Sequence, residues 1–237
     1  MGPHQRPAHY APLGDSAVMI TLGDAIDERT HRLVRAAASR IRSHPPPGFV
    51  DLVPAFVSIV VHYDPLVAAR EGNGRPYEHV VNFLRERLTG LAVEALDAPR
   101  VVEIPVCYGG DLGPDLDDVA RMHELSPDEV VRLHSAAEYL VYMIGFMPGF
   151  AYLGGLPERI ATPRRKTPRT AVPAGTVGIG GRQTGVYPLV SPGGWNLIGR
   201  TPVKIFDIAR AEPTLLGTGD RVRFRPITRA EFDEASA

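Results

Sequence analysis

The stretch GIGGRQTGVYP, residues 178–188, sets Arg182, Gln183 and Tyr187 among bare glycines. A glycine cluster serves either as a tight-turn solution or as a place where a ligand reaches the main chain. A nucleotide motif of the usual kind is absent: no GxxxxGK[ST] string occurs, and Gln183 stands where a GxGxxG fingerprint needs glycine. A phosphate here would need another cradle, a nest of backbone N–H groups with arginines. Just upstream, TPRRKTPRT at 162–170 places Arg164, Arg165, Lys166 and Arg169 on a chain kept extended by Pro163 and Pro168. Such a loop is either a solvated basic surface or a device for gripping carboxylate or phosphate bidentately. From Arg159 to Phe206 there are eight basic residues, among them Arg200 and Lys204, and no Asp or Glu. With a net charge of −1, the rest of the chain carries −9. The cations of this segment either pair with acids elsewhere or meet an anionic ligand.

Other groups carry less. His134, beside Ser135 and Glu138 at the end of a helical stretch, is the histidine best placed for chemistry; a structural helix-end histidine is the competing reading. Asp111, Asp115, Asp117 and Asp118 lack calcium-loop spacing, and Asp115 reads as a helix cap. Cys107 is the single cysteine, which excludes an internal disulfide and a multi-thiolate zinc site. It ends an apolar strand and reads as a small buried filler. Trp195, in SPGGWNLIG, either lines a pocket or plugs a barrel. Neither GxSxG nor HExxH occurs. LDDVARMHELSPDEVVRLHSA mimics a helix-turn-helix, but Glu124 sits where the turn favours glycine and the second helix opens with acids that phosphates repel. No nucleic-acid partner is expected.

These groups must be held by two kinds of element. In the first half, SAVMITLG alternates like a strand and DERTHRLVRAAASRIRSH repeats apolar residues at helical spacing through Leu33, Val34, Ala37 and Ile41. FVDLVPAFVSIVVHYDP reads as two strands broken near Pro54, and PYEHVVNFLRERLTG as an amphipathic helix ended by Gly90. The second half opens with the strand RVVEIPVCYGG and two short helices, the second with Ser126 as cap, Pro127 at its first position and Glu129 closing a capping box. Short apolar runs between Gly and Pro follow, ending in the alternating strand GDRVRFRPI. That pattern suits a closed or nearly closed β-barrel. The 237 residues, 22% charged and 44% hydrophobic, fit an ordinary soluble protein of one large or two small domains. No apolar run approaches membrane-spanning length, and the start MGPHQRPAHYAPLGDS reads as loose, without a signal peptide. A cytoplasmic protein with no membrane partner is expected.

Residues 134–202, from HSAAEYLVYMIGFMPGFAYLGG through TPRRKTPRTAVPAGTVGIGGRQTGVYPLVSPGGWNLIGRTP, closely resemble the signature of the KipI-like family. This family is also called allophanate hydrolase subunit 1, and its bacterial members include the B subunit of 5-oxoprolinase. LGDSAVMITLGDAID and VPAFVSIVVHYDP resemble its first domain, so the likeness runs from about residue 10 to 228. The departures, at Met147, Ala151 and Lys166, remove no polar group. The resemblance implies an α+β protein: a small ferredoxin-like α/β domain over residues 10–95, then a cyclophilin-like β-barrel of the carboxyltransferase C/D type over 96–228. It also implies a hetero-oligomer with a KipA-like partner (the 5-oxoprolinase C subunit), acting on a lactam substrate with ATP and magnesium. The LamB/YcsF-type A subunit of 5-oxoprolinase would complete the opening of 5-oxoproline to glutamate.

On that reading, Arg164, Arg165 and Arg169 are expected as phosphate or carboxylate ligands, with Gly180, Gly181 and Arg200 around the anion. Gln183 and Tyr187 would orient the lactam, and His134 would carry a proton. Magnesium would come with ATP, not in a cage built by this chain. No Met-Lys-Met sequence is present, so no covalently attached biotin is expected on this polypeptide. Two other functions fit the same family: a KipI-type regulator that inhibits a sensor histidine kinase, and a component of a urea-amidolyase or carboxyltransferase-like enzyme. Prolyl isomerisation would rest on fold analogy alone.

Overall fold

The computed structural model describes residues 8–91 and 99–236, in two compact units divided between residues 98 and 99. The first unit contains β1 (His9–Pro12), β2 (Ala17–Thr21), α1 (Glu28–Ser43), β3 (Phe49–Pro54), β4 (Ser58–Tyr63), α2 (Pro65–Glu71) and α3 (Pro76–Leu88). Its antiparallel sheet runs β1-β2-β4-β3. Asp27 starts α1 by accepting the Thr30 N–H at 2.7 Å. The helical spacing then buries Leu33, Val34, Ala37 and Ile41, and Val34, Ala37 and Ile41 join one cluster with Ile20, Ile59 and Val61 of the sheet.

The order β2-α1-β3-β4-α3, with β4 between β2 and β3, is ferredoxin-like; β1 fills the edge beside β2. Two elements differ from the expectations above. HYAP, read as part of a loose start, pairs with β2 in register from His9 opposite Thr21 to Pro12 opposite Val18. The DP after β4, read as a strand end, begins a short helix instead: Asp64 accepts from Leu66 N and Val67 N, with Pro65 at the first helical position.

The second unit contains β5 (Val101–Tyr108), α4 (Leu116–Met122), α5 (Pro127–Ala136), β6 (Glu138–Ile144), β7 (Ala151–Gly154), a 3₁₀ turn at Glu158–Ile160, β8 (Arg169–Val172), β9 (Thr176–Gly180), β10 (Gln183–Val186), β11 (Ser191–Gly193), β12 (Asn196–Arg200), β13 (Arg221–Pro226) and α6 (Arg229–Ser236). Seven strands close into a barrel in the order β10-β7-β6-β13-β5-β12-β9, and β8 and β11 form a separate two-stranded ribbon. The last strand enters the middle of the barrel, parallel to β5 and antiparallel to β6. Its alternation puts Val222 and Phe224 inside, in one core with Ile104, Val141, Ile179 and Ile198. The capping box at Ser126 and Glu129 is formed. No helix among the described residues is long and apolar enough to cross a membrane.

Candidate functional site

A cavity of about 270 Å³ opens on the second unit, walled by rings. Phe150, just after the turn between β6 and β7, is the hub: Tyr152, Tyr187, Trp195 and Phe146 meet it edge-on with centroids 5.0, 5.4, 5.5 and 5.5 Å away. Such T-shaped contacts suit the ring quadrupoles and fix the walls. Phe146 is 63% exposed at this cavity and sits in the left-handed region with φ of 70°, a conformation uncommon for a bulky residue.

The glycine cluster resolves in favour of packing. A Cβ at Gly180 would lie 2.5 Å from the Trp195 indole nitrogen, and one at Gly178 or Gly185 would lie 3.2 Å from other Trp195 atoms. β9 and β10 thus leave out side chains where the indole lies. Gly193 does the same for Tyr187, whose hydroxyl would be 2.5 Å from a Cβ there. Gly181 instead serves the β9–β10 turn, with φ of 66° and its N–H donating to Thr162 O at 2.7 Å.

The arginines divide. The Asp115 carboxylate, 4% exposed, accepts from Arg165 Nη1 at 3.0 Å, from Arg169 Nη1 and Nη2 at 2.9 and 2.7 Å, and from Leu197 N at 2.7 Å. Asp115 occupies the N-cap position of α4, yet its carboxylate makes no capping bond and faces these cations. Arg165 and Arg169, expected to hold a ligand's anion, are therefore held by an internal one. Arg165 N also donates to Gly194 O at 2.7 Å, stitching the basic loop to the segment that carries Trp195. Arg164 differs: its guanidinium lies 6.0 Å over the Trp195 ring, lines the cavity, and has no acidic partner among the described residues. Tyr187 also lines the cavity. Burial pushes its phenol above the ordinary value, and a hydrogen bond from the Trp195 backbone, Arg164 and Arg169 pull it back down.

The remaining candidates lie elsewhere. His134 is 0% exposed, stacked on Phe224 at 4.7 Å. Its Nδ1 is 2.8 Å from the Tyr108 hydroxyl and its Nε2 is 2.9 Å from Thr184 Oγ1. Because Thr184 Oγ1 donates to Gly178 O, it accepts from the imidazole, so Nε2 carries the proton and Nδ1 accepts from Tyr108. Burial lowers the His134 pKa to about 3. A neutral ring sealed in the barrel core is a structural crosslink, so the expected proton carrier is corrected to a core residue. Gln183 pairs opposite Gly180 in the hairpin, Arg200 Nε donates to Ala174 O at 2.8 Å, and neither lines the cavity. Among the described residues no three His, Cys, Asp or Glu side chains are placed to hold a metal ion.

Residue types had pointed to the basic loop and to Tyr187. They had not singled out Phe146, Phe150 or Tyr152 as cavity walls, although the aromatic run GFMPGFAY was the available signal. Asp115 as the arginine clamp had no local signal, since its partners lie 50 and 54 residues away.

A seven-stranded barrel of this order, preceded by a ferredoxin-like unit, is the architecture of a carboxyltransferase domain. The family profile described as carboxyltransferase domain, subdomain C and D, matches residues 8–216. The 5-oxoprolinase B subunit of Bacillus subtilis is 48% identical over 93% of each chain, and that of Escherichia coli O157:H7 is 45% identical over 90% of this chain and 94% of its own. The chain belongs to the KipI-like family of 5-oxoprolinase B subunits. Among solved structures, TTHA0988 superposes with a TM-score of 0.75 at 39% identity, covering 89% of this chain but only 40% of that longer one. The urea amidolyase of K. lactis superposes at 0.78 with 19% identity over 96% of this chain and 15% of its own, a likeness of fold alone.

Proposed function

We propose that this chain is the B subunit of an ATP-dependent 5-oxoprolinase, acting with a KipA-like protein to activate the 5-oxoproline lactam for hydrolysis by a LamB/YcsF-type partner. The observation that carries this reading is identity of 48% over 93% of both chains to a protein bearing that subunit name. The aromatic cavity, with Arg164 free of any acidic partner among the described residues, agrees with a small cyclic anion as substrate. ATP supplies the driving force for opening an otherwise stable amide ring, and its magnesium would arrive with it.

The nucleotide itself does not fit the groups of this cavity. A triphosphate of about four negative charges demands several free donors. Here Arg165 and Arg169 are committed to Asp115, and Arg164 stands alone. This chain's own contribution is therefore to hold and desolvate the ring: apolar walls exclude water and strengthen any charge contact inside.

The experiment is ADP release by the chain co-purified with its KipA-like and LamB/YcsF-type partners, with and without 5-oxoproline. Stimulated release matched by equal formation of glutamate is expected. A stable complex whose ATP hydrolysis ignores 5-oxoproline would overturn the reading and leave a regulatory function or another substrate in its place.

A further inference from the structure

We infer that the cavity around Trp195 is a site for a small ring bearing one carboxylate, with Arg164 as the anchor and no place in it for the nucleotide. The identity of the ring as 5-oxoproline rests on the function proposed above; the site and its ligand class rest on the cavity alone.

Four observations converge. The volume, about 270 Å³, suits a ring of a few atoms and its substituent. The walls present ring faces and edges from Phe150, Tyr152, Tyr187 and Trp195, which favour a flat, mostly apolar body. Of the two arginines that line it, Arg165 donates to Asp115. Arg164 is left as the lining cation without an acidic partner among the described residues, and its planar fork suits a carboxylate bidentately.

Asp115 makes this arrangement rigid without touching the cavity. Its carboxylate grips Arg165, next to the anchor, and also Leu197 N, two residues beyond the indole. The anchor and the platform are thus tied to one buried group, which lowers the ordering cost on binding.

Trp195 is the only tryptophan of the chain, so its emission reports on this cavity directly. The test is a fluorescence titration of the full chain, repeated on the co-purified complex with the Trp195→Phe complex as blank. 5-Oxoproline and pyrrole-2-carboxylate are expected to give saturable quenching, and 2-pyrrolidinone, the same lactam without the carboxylate, is not. Arg164→Gln should weaken binding by about 10- to 100-fold, the loss of a charge-assisted pair. Arg121→Gln, on an exposed arginine paired with Asp118, is the control and should not. ADP and a non-hydrolysable ATP analogue should leave the curve unmoved.

The inference falls if Arg164→Gln binds as tightly as the parent, if a nucleotide competes with 5-oxoproline, or if neither the chain nor the complex responds. These failures are separable from failure of the proposed function. Carboxylate-dependent quenching in a complex whose ATP hydrolysis ignores 5-oxoproline would keep the site and remove the substrate. Stimulated hydrolysis with an unchanged KM in Arg164→Gln would keep the substrate and remove the site.

Discussion

At the scale of single residues, the decisive feature is that one buried carboxylate accounts for two of the arginines that looked most like anion ligands. Asp115→Asn would keep the shape and the Leu197 contact but leave two guanidinium groups facing a neutral amide. Because Arg165 and Arg169 retain partial access to water, the cost should be about 1–3 kcal/mol in urea denaturation, less than for a sealed pair. An unchanged midpoint would show that the clamp contributes nothing to stability. The glycines separate by the same kind of measurement. Gly180→Ala forces a methyl against the Trp195 indole, so a loss of about 1–3 kcal/mol is expected together with a shifted Trp195 emission maximum. Gly181→Ala meets nothing within 4 Å but must hold φ of 66°; about 1 kcal/mol should be lost with the emission unmoved. Equal emission shifts in both variants would contradict the packing role assigned to Gly180.

At the scale of elements, legibility followed the range of the interactions. The α5 capping box, the helical spacing of α1 and the alternation of β13 are set within a few residues, and each could be read directly from residue types. β1 could not, because HYAP is a strand only through its pairing with β2, and four residues with two prolines nearby carry no periodicity. The site was half legible for a related reason. The basic loop between β7 and β8 announces itself by composition, but which of its cations are free depends on Asp115 at the start of α4 and on Gly194 before β12. Composition cannot reveal a partner 50 residues away. Shape was equally hidden: glycines at 178, 180 and 185 read as turns or ligand contacts until the indole lying against them is seen. The turn between β6 and β7 offers a test at this scale. Phe146 is mostly exposed, so Phe146→Ala should leave the stability within about 0.5 kcal/mol of the parent yet weaken 5-oxoproline quenching of Trp195. Parent-like quenching would remove that turn from the site.

At the scale of the whole second unit, the buried His134 makes the barrel sensitive to acid. Its folded pKa, about 3, lies below the ordinary 6.5, so between those values the unfolded chain takes up a proton that the folded one refuses. The stabilisation is complete above about pH 6.5 and declines as pH falls toward 3, by about 1.4 kcal/mol per pH unit from this residue. His134→Gln should be less stable at neutral pH but should show a shallower decline when both proteins are unfolded in urea at successive pH values and followed by Trp195 emission. Parallel declines would mean that His134 is not the group responsible. The position of β13 bears on how the protein is made. Residues 221–226 separate β5 from β6, so a ribosome that has produced six barrel strands has produced no barrel. Until that segment emerges, β5 and β6 each lack a neighbour, and such unpaired strands invite pairing with other chains. The nascent protein must therefore wait, exposed, for one of its last strands, and a ribosome stalled before residue 221 would release a species that aggregates or occupies chaperones instead of a smaller working domain.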